Sequence, residues 1–261
     1  MIFITGDTHG SFAERFSMTN FAEQKQMTKD DMVIVCGDFG IWTDSAQERY
    51  WLDWLAEKSF TLCFCDGNHE NFDRLYSDEF PAVDFHGGKA QKIRDNIYHL
   101  LRGEIYDFEG SKFFVMGGAK SHDIQDGVLD PDDYRTFSEF KRVYNRMVLQ
   151  RKMFRVNHVS WWEKEMPSGD EYAKATAVLK ANENKIDYII SHCAPTSIVY
   201  ELGYDEHDEL TDFLQCVKRT CKFKRWFFGH YHRDEDINDE FSLLYHRILK
   251  LEDNDGNKKN A

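Results

Sequence analysis

The stretch Met32-Val33-Ile34-Val35-Cys36-Gly37-Asp38-Phe39-Gly40 decides the fold. Its apolar run is short and rich in β-branched residues, which reads as a buried strand rather than a helix. The Gly-Asp that follows is a turn with a carboxylate at the end of that strand. The same punctuation recurs along the chain. Residues 1–5 run into Gly6-Asp7-Thr8-His9, and residues 61–65 into Asp66-Gly67-Asn68-His69-Glu70. Residues 186–191 end at His192, and Trp226-Phe227-Phe228 runs into Gly229-His230-Tyr231-His232.

Helical patterns lie between these strands. In residues 46–58, Tyr50, Trp51, Trp54 and Leu55 recur at helical spacing, and residues 171–184 are rich in Ala, Lys and Glu. The alternation predicts an α/β fold with sheets covered by helices. Residues 97–101, 104–108 and 112–116 read as an antiparallel meander, with 241–248 a late strand of the same kind. We expect a single domain over 1–251, with 120–165 as a cap or lid and 252–261 as a flexible polar tail.

Composition narrows the function. The 261 residues carry 46 acidic and 33 basic side chains, a formal net charge of −13, which argues against broad binding to nucleic-acid phosphates. No apolar run reaches the roughly 18 residues that span a membrane. Met1-Ile2-Phe3-Ile4-Thr5 leads straight into Gly6-Asp7 without the pattern of a signal peptide, so a cytoplasmic location is expected. The 6 cysteines form no C-x-x-C pair and read as reduced, mostly buried thiols.

The residues at the strand ends are oxygen and nitrogen ligands. Asp7 and His9 stand two apart, as do His230 and His232, and an extended backbone would aim alternate side chains at one ion. Ligands in open α/β sheets gather at the carboxyl ends of strands, where every one of these residues falls. A mixed imidazole and carboxylate set suits Mn, Fe or Zn better than Ca or Mg. Asp38 is the candidate bridge between two ions, since a carboxylate has two oxygens and offsets two cations. Taken singly, each motif has an ordinary explanation: Asp-x-His and Gly-Asp are common turns, and Asn68 could cap a helix with Glu70 in its first turn. All five in this order point to a dinuclear metal centre.

That order resembles the calcineurin-like metallophosphoesterases, over the span from Ile4 to His232. The resemblance implies a four-layer α/β/β/α sandwich of two mixed sheets flanked by helices, with two divalent ions at the sheet-edge loops. Asp7, His9, Asp38 and His232 would hold one ion, and Asp38, Asn68, His192 and His230 the other. It also implies that His69 is catalytic, sitting over the scissile phosphate as general acid or electrostatic stabiliser. Manganese is the first choice of metal, with Fe or Zn as alternatives. The expected reaction is hydrolysis of a phosphodiester or phosphomonoester of a small or nucleotide-like molecule, with a hydroxide bridging the ions as nucleophile. A nuclease is the alternative, and a catalytically silent scaffold a lesser one.

The sequence departs from the GDxxDRG pattern of the protein Ser/Thr phosphatases, because Asp38 is followed by Phe39-Gly40-Ile41-Trp42. A phosphoprotein substrate is therefore disfavoured, and the partner of His69 is left open among Glu70, Asp44 and Asp66. Lys120 and His122, after the third strand of the meander, are candidate substrate contacts. Residues 135–155 interleave Arg and Lys with Phe, Tyr and Met and read as one helix with a basic and an apolar face. Trp161-Trp162 reads as core.

Overall fold

The computed structural model describes residues 1–251. The tail expected at 252–261 lies outside the described residues. In chain order the strands are β1 (Ile2–Thr5), β2 (Met32–Val35), β3 (Thr61–Phe64), β4 (Ala82–Phe85), β5 (Gly88–Arg94), β6 (Ile97–Leu100), β7 (Glu104–Phe108) and β8 (Ser111–Met116). They continue with β9 (Val128–Leu129), β10 (Arg155–Val156), β11 (Tyr188–Ser191), β12 (Arg225–Phe228), β13 (Glu235–Asp236), β14 (Phe241–Leu243) and β15 (Ile248–Leu251). The helices are α1 (Phe12–Phe16), α2 (Ala46–Ala56), α3 (Phe72–Leu75), α4 (Phe137–Leu149), α5 (Gly169–Ala181), α6 (Thr196–Glu201) and α7 (Glu209–Thr220).

Two mixed sheets form the centre, one ordered β15-β1-β2-β3-β6-β5-β4 and the other β13-β14-β12-β11-β8-β7. Alternation along each strand explains why they stack. Phe3, Val33, Val35, Leu62 and Phe64 point outward from the first sheet and pack on Phe12, Phe16, Leu52 and Leu55 of α1 and α2. Their neighbours Ile2, Ile4, Met32 and Ile34 point inward and meet Phe113, Val115 and Ile190 of the second sheet. Phe114, Met116, Ile189 and Trp226 leave that sheet on its far side, against Ala175, Leu179, Leu214 and Val217 of α5 and α7. Three apolar seams therefore separate four layers, as the α/β/β/α expectation requires. Phe64 is stacked on Phe39 at 4.2 Å between ring centres, and its truncation to Ala would cost about 3–5 kcal/mol.

The meander does not form as read. β6 runs parallel to β3 in the first sheet, whereas β7 and β8 pair antiparallel in the second. The chain changes sheets across Leu101-Arg102-Gly103, where Gly103 has φ 73° and a Cβ would press on Ala175. Periodicity reveals β segments but not their partners, and β4 and β5 were not foreseen at all. The late strand at 241–248 is likewise two strands: β14 lies parallel to β12, and β15 lies antiparallel to β1 in the other sheet. Asp234 makes the break by accepting the backbone N–H groups of Tyr245, His246 and Arg247. The basic, aromatic helix is shorter than expected: α4 ends at Leu149, and Arg155 sits on β10.

Candidate metal centre

Strand ends from both sheets meet at one edge. Asp7, His9, Asp38 and His232 bring their ligand atoms within 4.8 Å of one another. His232 Nε2 lies 3.1 Å from His9 Nε2 and 3.3 Å from Asp7 Oδ2. His9 Nε2 is 3.8 Å from Asp38 Oδ2. Beside this cluster, His192 Nε2 stands 3.4 Å from Asp38 Oδ2 and 3.3 Å from Asn68 Oδ1. Asp38 faces both groups, so one carboxylate is common to two nests of ligand atoms. Asp7 and Asp38 are each only 1% exposed. Two carboxylates so buried demand counter-charge. Oxygen and imidazole donors around them fit divalent ions of the Mn, Fe and Zn kind.

His230 borders the second nest, its ring 4.9 Å from that of His192, centre to centre. Its Nε2 is 2.8 Å from His122 Nε2 and 3.7 Å from Glu206 Oε1, while its backbone N–H reaches Asp7 at 3.1 Å. Lys120 is exposed and, with His122 and Glu206, lines a groove of about 400 Å³.

The geometry is not that of extended strands. His9, Asp38, His230 and His232 have φ of 44°, 47°, 71° and 49°, the left-handed region that non-glycine residues enter at a cost. Tight turns, not strand alternation, aim the side chains. They hold because the loops brace one another: the N–H groups of Thr8 and His9 donate to Asp38 O at 3.2 and 2.8 Å. Arg15, buried, donates to Thr5 Oγ1, Gly6 O and Asp7 O. Glycine is required where backbone meets ligand. A Cβ on Gly37 would enter the His192 ring, one on Gly67 the Asp38 carboxylate, and one on Gly229 the Asp7 carboxylate.

The electrostatics follow from burial. Burial opposes charge on His192, but Asp38 and Asp7 outweigh it and push the imidazole up to about 10. His192 Nδ1 donates to Cys36 O at 2.8 Å, which turns Nε2 toward Asp38 and Asn68. Asn68 donates through Nδ2 to Ser121 Oγ at 3.3 Å, and Ser121 in turn donates to Glu165 at 2.6 Å.

None of the three carboxylates considered for His69 contacts it. Glu70 accepts backbone N–H groups from Phe39, Gly40 and Ile41 and so fixes the turn after Asp38. Asp66 pairs with Arg102 and His99, and Asp44 with Arg49 and Arg74. The partner is Arg155, whose Nη2 donates to His69 Nε2 at 3.2 Å while its Nε donates to Asp123 at 2.6 Å. Burial lowers His69 to about 4, with Asp38 pulling it back up and Arg155 pushing it further down. His69 is thus an uncharged imidazole at neutral pH. Arg155 had a signal in the sequence, a basic residue among aromatics, but the helical reading pointed it elsewhere. Asn71, not Asn68, caps α3. Trp162 is core and donates to Asp73, as its reading proposed.

A family model for calcineurin-like phosphoesterases matches residues 1–234, and the chain belongs to that family. Over 149 residues it is 25% identical to lariat debranching enzyme A of Xenopus laevis, covering 51% of this chain and 26% of that protein. The chain thus spans about a quarter of the length of this curated relative. A solved structure of phosphopantetheinyl hydrolase from Mycobacterium tuberculosis aligns over 94% of this chain and 89% of that one, with 16% identity and a TM-score of 0.37.

Proposed function

We propose that the chain hydrolyses a phosphodiester or phosphomonoester of a small or nucleotide-like molecule at a dinuclear centre. The observation that carries this reading is Asp38, buried and facing both His9 and His192. Asp7, His9, Asp38 and His232 would hold one ion; Asp38, Asn68, His192 and His230 the other. Manganese is the first choice, with Fe or Zn as alternatives. The ions, when bound, supply charge to the phosphate oxygens and acidify water.

The protein's own part is positioning. Asn68, turned by its bond to Ser121, offers a neutral oxygen that limits the negative charge around the ions. His69 is uncharged before substrate arrives, and a phosphate anion beside it would raise its proton affinity. The imidazole would then steady charge on the leaving oxygen. Residues 120–165 act as a lid that delivers Arg155 to His69, and its guanidinium is a ready partner for a phosphate oxygen. The 6 unpaired cysteines fit a reducing, cytoplasmic setting. Among the described residues no helix is long and apolar enough to cross a membrane.

A second reading has one observation behind it. No residue of α4 is buried, and the helix carries Lys141, Arg142 and Arg146, a surface suited to a nucleic-acid backbone. The net charge of −13 weighs against it.

Hydrolysis of p-nitrophenyl phosphate against bis-p-nitrophenyl phosphate, with Mn²⁺ restored after chelation, tests the reading. Metal-dependent turnover of either supports it, and preference for the diester directs the search to small diesters. Metal-independent turnover, or cleavage confined to single-stranded nucleic acid, would overturn it.

A further inference from the structure

His122 comes from the loop after β8, Glu206 from the loop before α7, and His230 from the loop after β12. Their ligand atoms lie within 4.8 Å of one another. The His122 and His230 Nε2 atoms are 2.8 Å apart, and they stand 3.8 and 3.7 Å from the Glu206 carboxylate oxygens. Ligand atoms ~2.0–2.1 Å from a zinc ion at tetrahedral angles stand roughly 3.3 Å from one another. The three separations straddle that value.

The state of Glu206 separates a ligand cluster from a hydrogen-bonded one. Glu206 is 8% exposed, and its Oε2 accepts the Tyr231 hydroxyl at 3.0 Å. Its Oε1 has no hydrogen-bond partner among the described residues, although it is buried. A buried carboxylate oxygen left so is destabilising, because it has given up water without gaining a donor. An N–H···N bond between the two imidazoles would occupy one proton and leave that oxygen as it is. A cation between the three would engage both nitrogens and the oxygen together.

We propose that His122, Glu206 and His230 bind a further divalent cation at the rim of the site, of the Zn²⁺ type given two imidazoles and one carboxylate. It shares His230 with the inner pair, each ion on its own ring nitrogen once the imidazole has released its N–H proton to solvent, and to that extent rests on the ligand set proposed above. The adjoining groove is lined by Asp205, Glu206 and Asp208 as well as Lys120.

The test is the zinc content of the protein after loading and desalting against a weak chelator. Wild type is expected to retain about three equivalents, and His122→Ala and Glu206→Gln about two each. Circular dichroism checks that each variant is folded. Wild type holding about two equivalents, with both variants unchanged, overturns the inference and leaves the dinuclear reading standing. Variants that keep about three place the extra ion elsewhere and also overturn it. Wild type holding about one, lost in both variants, would instead sink the inner pair and keep the rim site.

Discussion

Arg155 Nη2 donates to His69 Nε2 across 3.2 Å, joining a strand of the 120–165 segment to the Gly-Asn-His-Glu loop. The bond fixes which imidazole nitrogen carries the hydrogen, because the one facing a guanidinium must accept. Removing the cation should let His69 bind its proton more tightly. In chelated Arg155→Ala, His69 is expected to titrate above the wild-type value of about 4, read by NMR of the imidazole. An unmoved titration would mean that Arg155 has no part in setting it. Turnover should fall ~10²–10³-fold, as for loss of one preorganised donor, with little rescue by Arg155→Lys.

Asp38→Asn replaces the carboxylate whose Oδ2 lies 3.8 Å from His9 Nε2 and 3.4 Å from His192 Nε2. The variant should retain fewer metal ions on elemental analysis and lose nearly all turnover. Wild-type metal content together with wild-type turnover would refute a bridging role.

Metal loading should expel protons. In the metal-free protein His192, held at about 10 by Asp38 and Asp7 against the effect of burial, is charged at pH 8. A cation and a proton compete for its Nε2. Apparent affinity should therefore rise with pH toward about 10 and fall as pH drops. Calorimetry in two buffers of different ionisation enthalpy should record ~1 proton released per site containing His192. Heats independent of buffer would count against this ion pair.

The carboxylate under the Gly67-Asn68-His69-Glu70 loop should be a stability determinant. Asp66 is fully buried; burial raises its carboxyl, but Arg102 and His99 outweigh that and hold it at about 2. Asp66→Asn strands the buried Arg102 guanidinium, at a cost of about 3–5 kcal/mol. The melting temperature should drop on the order of 10 °C for a chain this size. The sign of the pH effect follows from the depressed value. The Asp66 contribution is complete above the ordinary aspartate range near 4 and disappears as pH falls through about 2. Acid unfolding of Asp66→Asn should lack this component, and equal acid sensitivity in both proteins would remove Asp66 from the account.

Sequence disclosed the parts of this molecule that local rules govern. Val33, Ile34 and Val35 are a strand because β-branched residues buried on both faces can do little else. Candidate ligands such as Asp38 and His192 were visible because each follows a strand. What escaped depends on partners distant in the chain. Arg155 meets His69 86 positions away, and Glu206 approaches His122 and His230 without any motif of its own. The aiming of the ligands was read for the wrong reason: left-handed turns at His9 and Asp38 do what extended strands were expected to do. Such turns are set by loop-to-loop hydrogen bonds, which periodicity does not encode.

Asp7 accepts the backbone N–H of His230 from 223 positions later in the chain. During synthesis at ~5–20 residues per second, the first carboxylate emerges tens of seconds before that partner exists. Throughout that interval the nascent chain offers only fragments of a chelator, in competition with every other ligand in solution. On the ligand set proposed above, metal loading would therefore follow translation of His232.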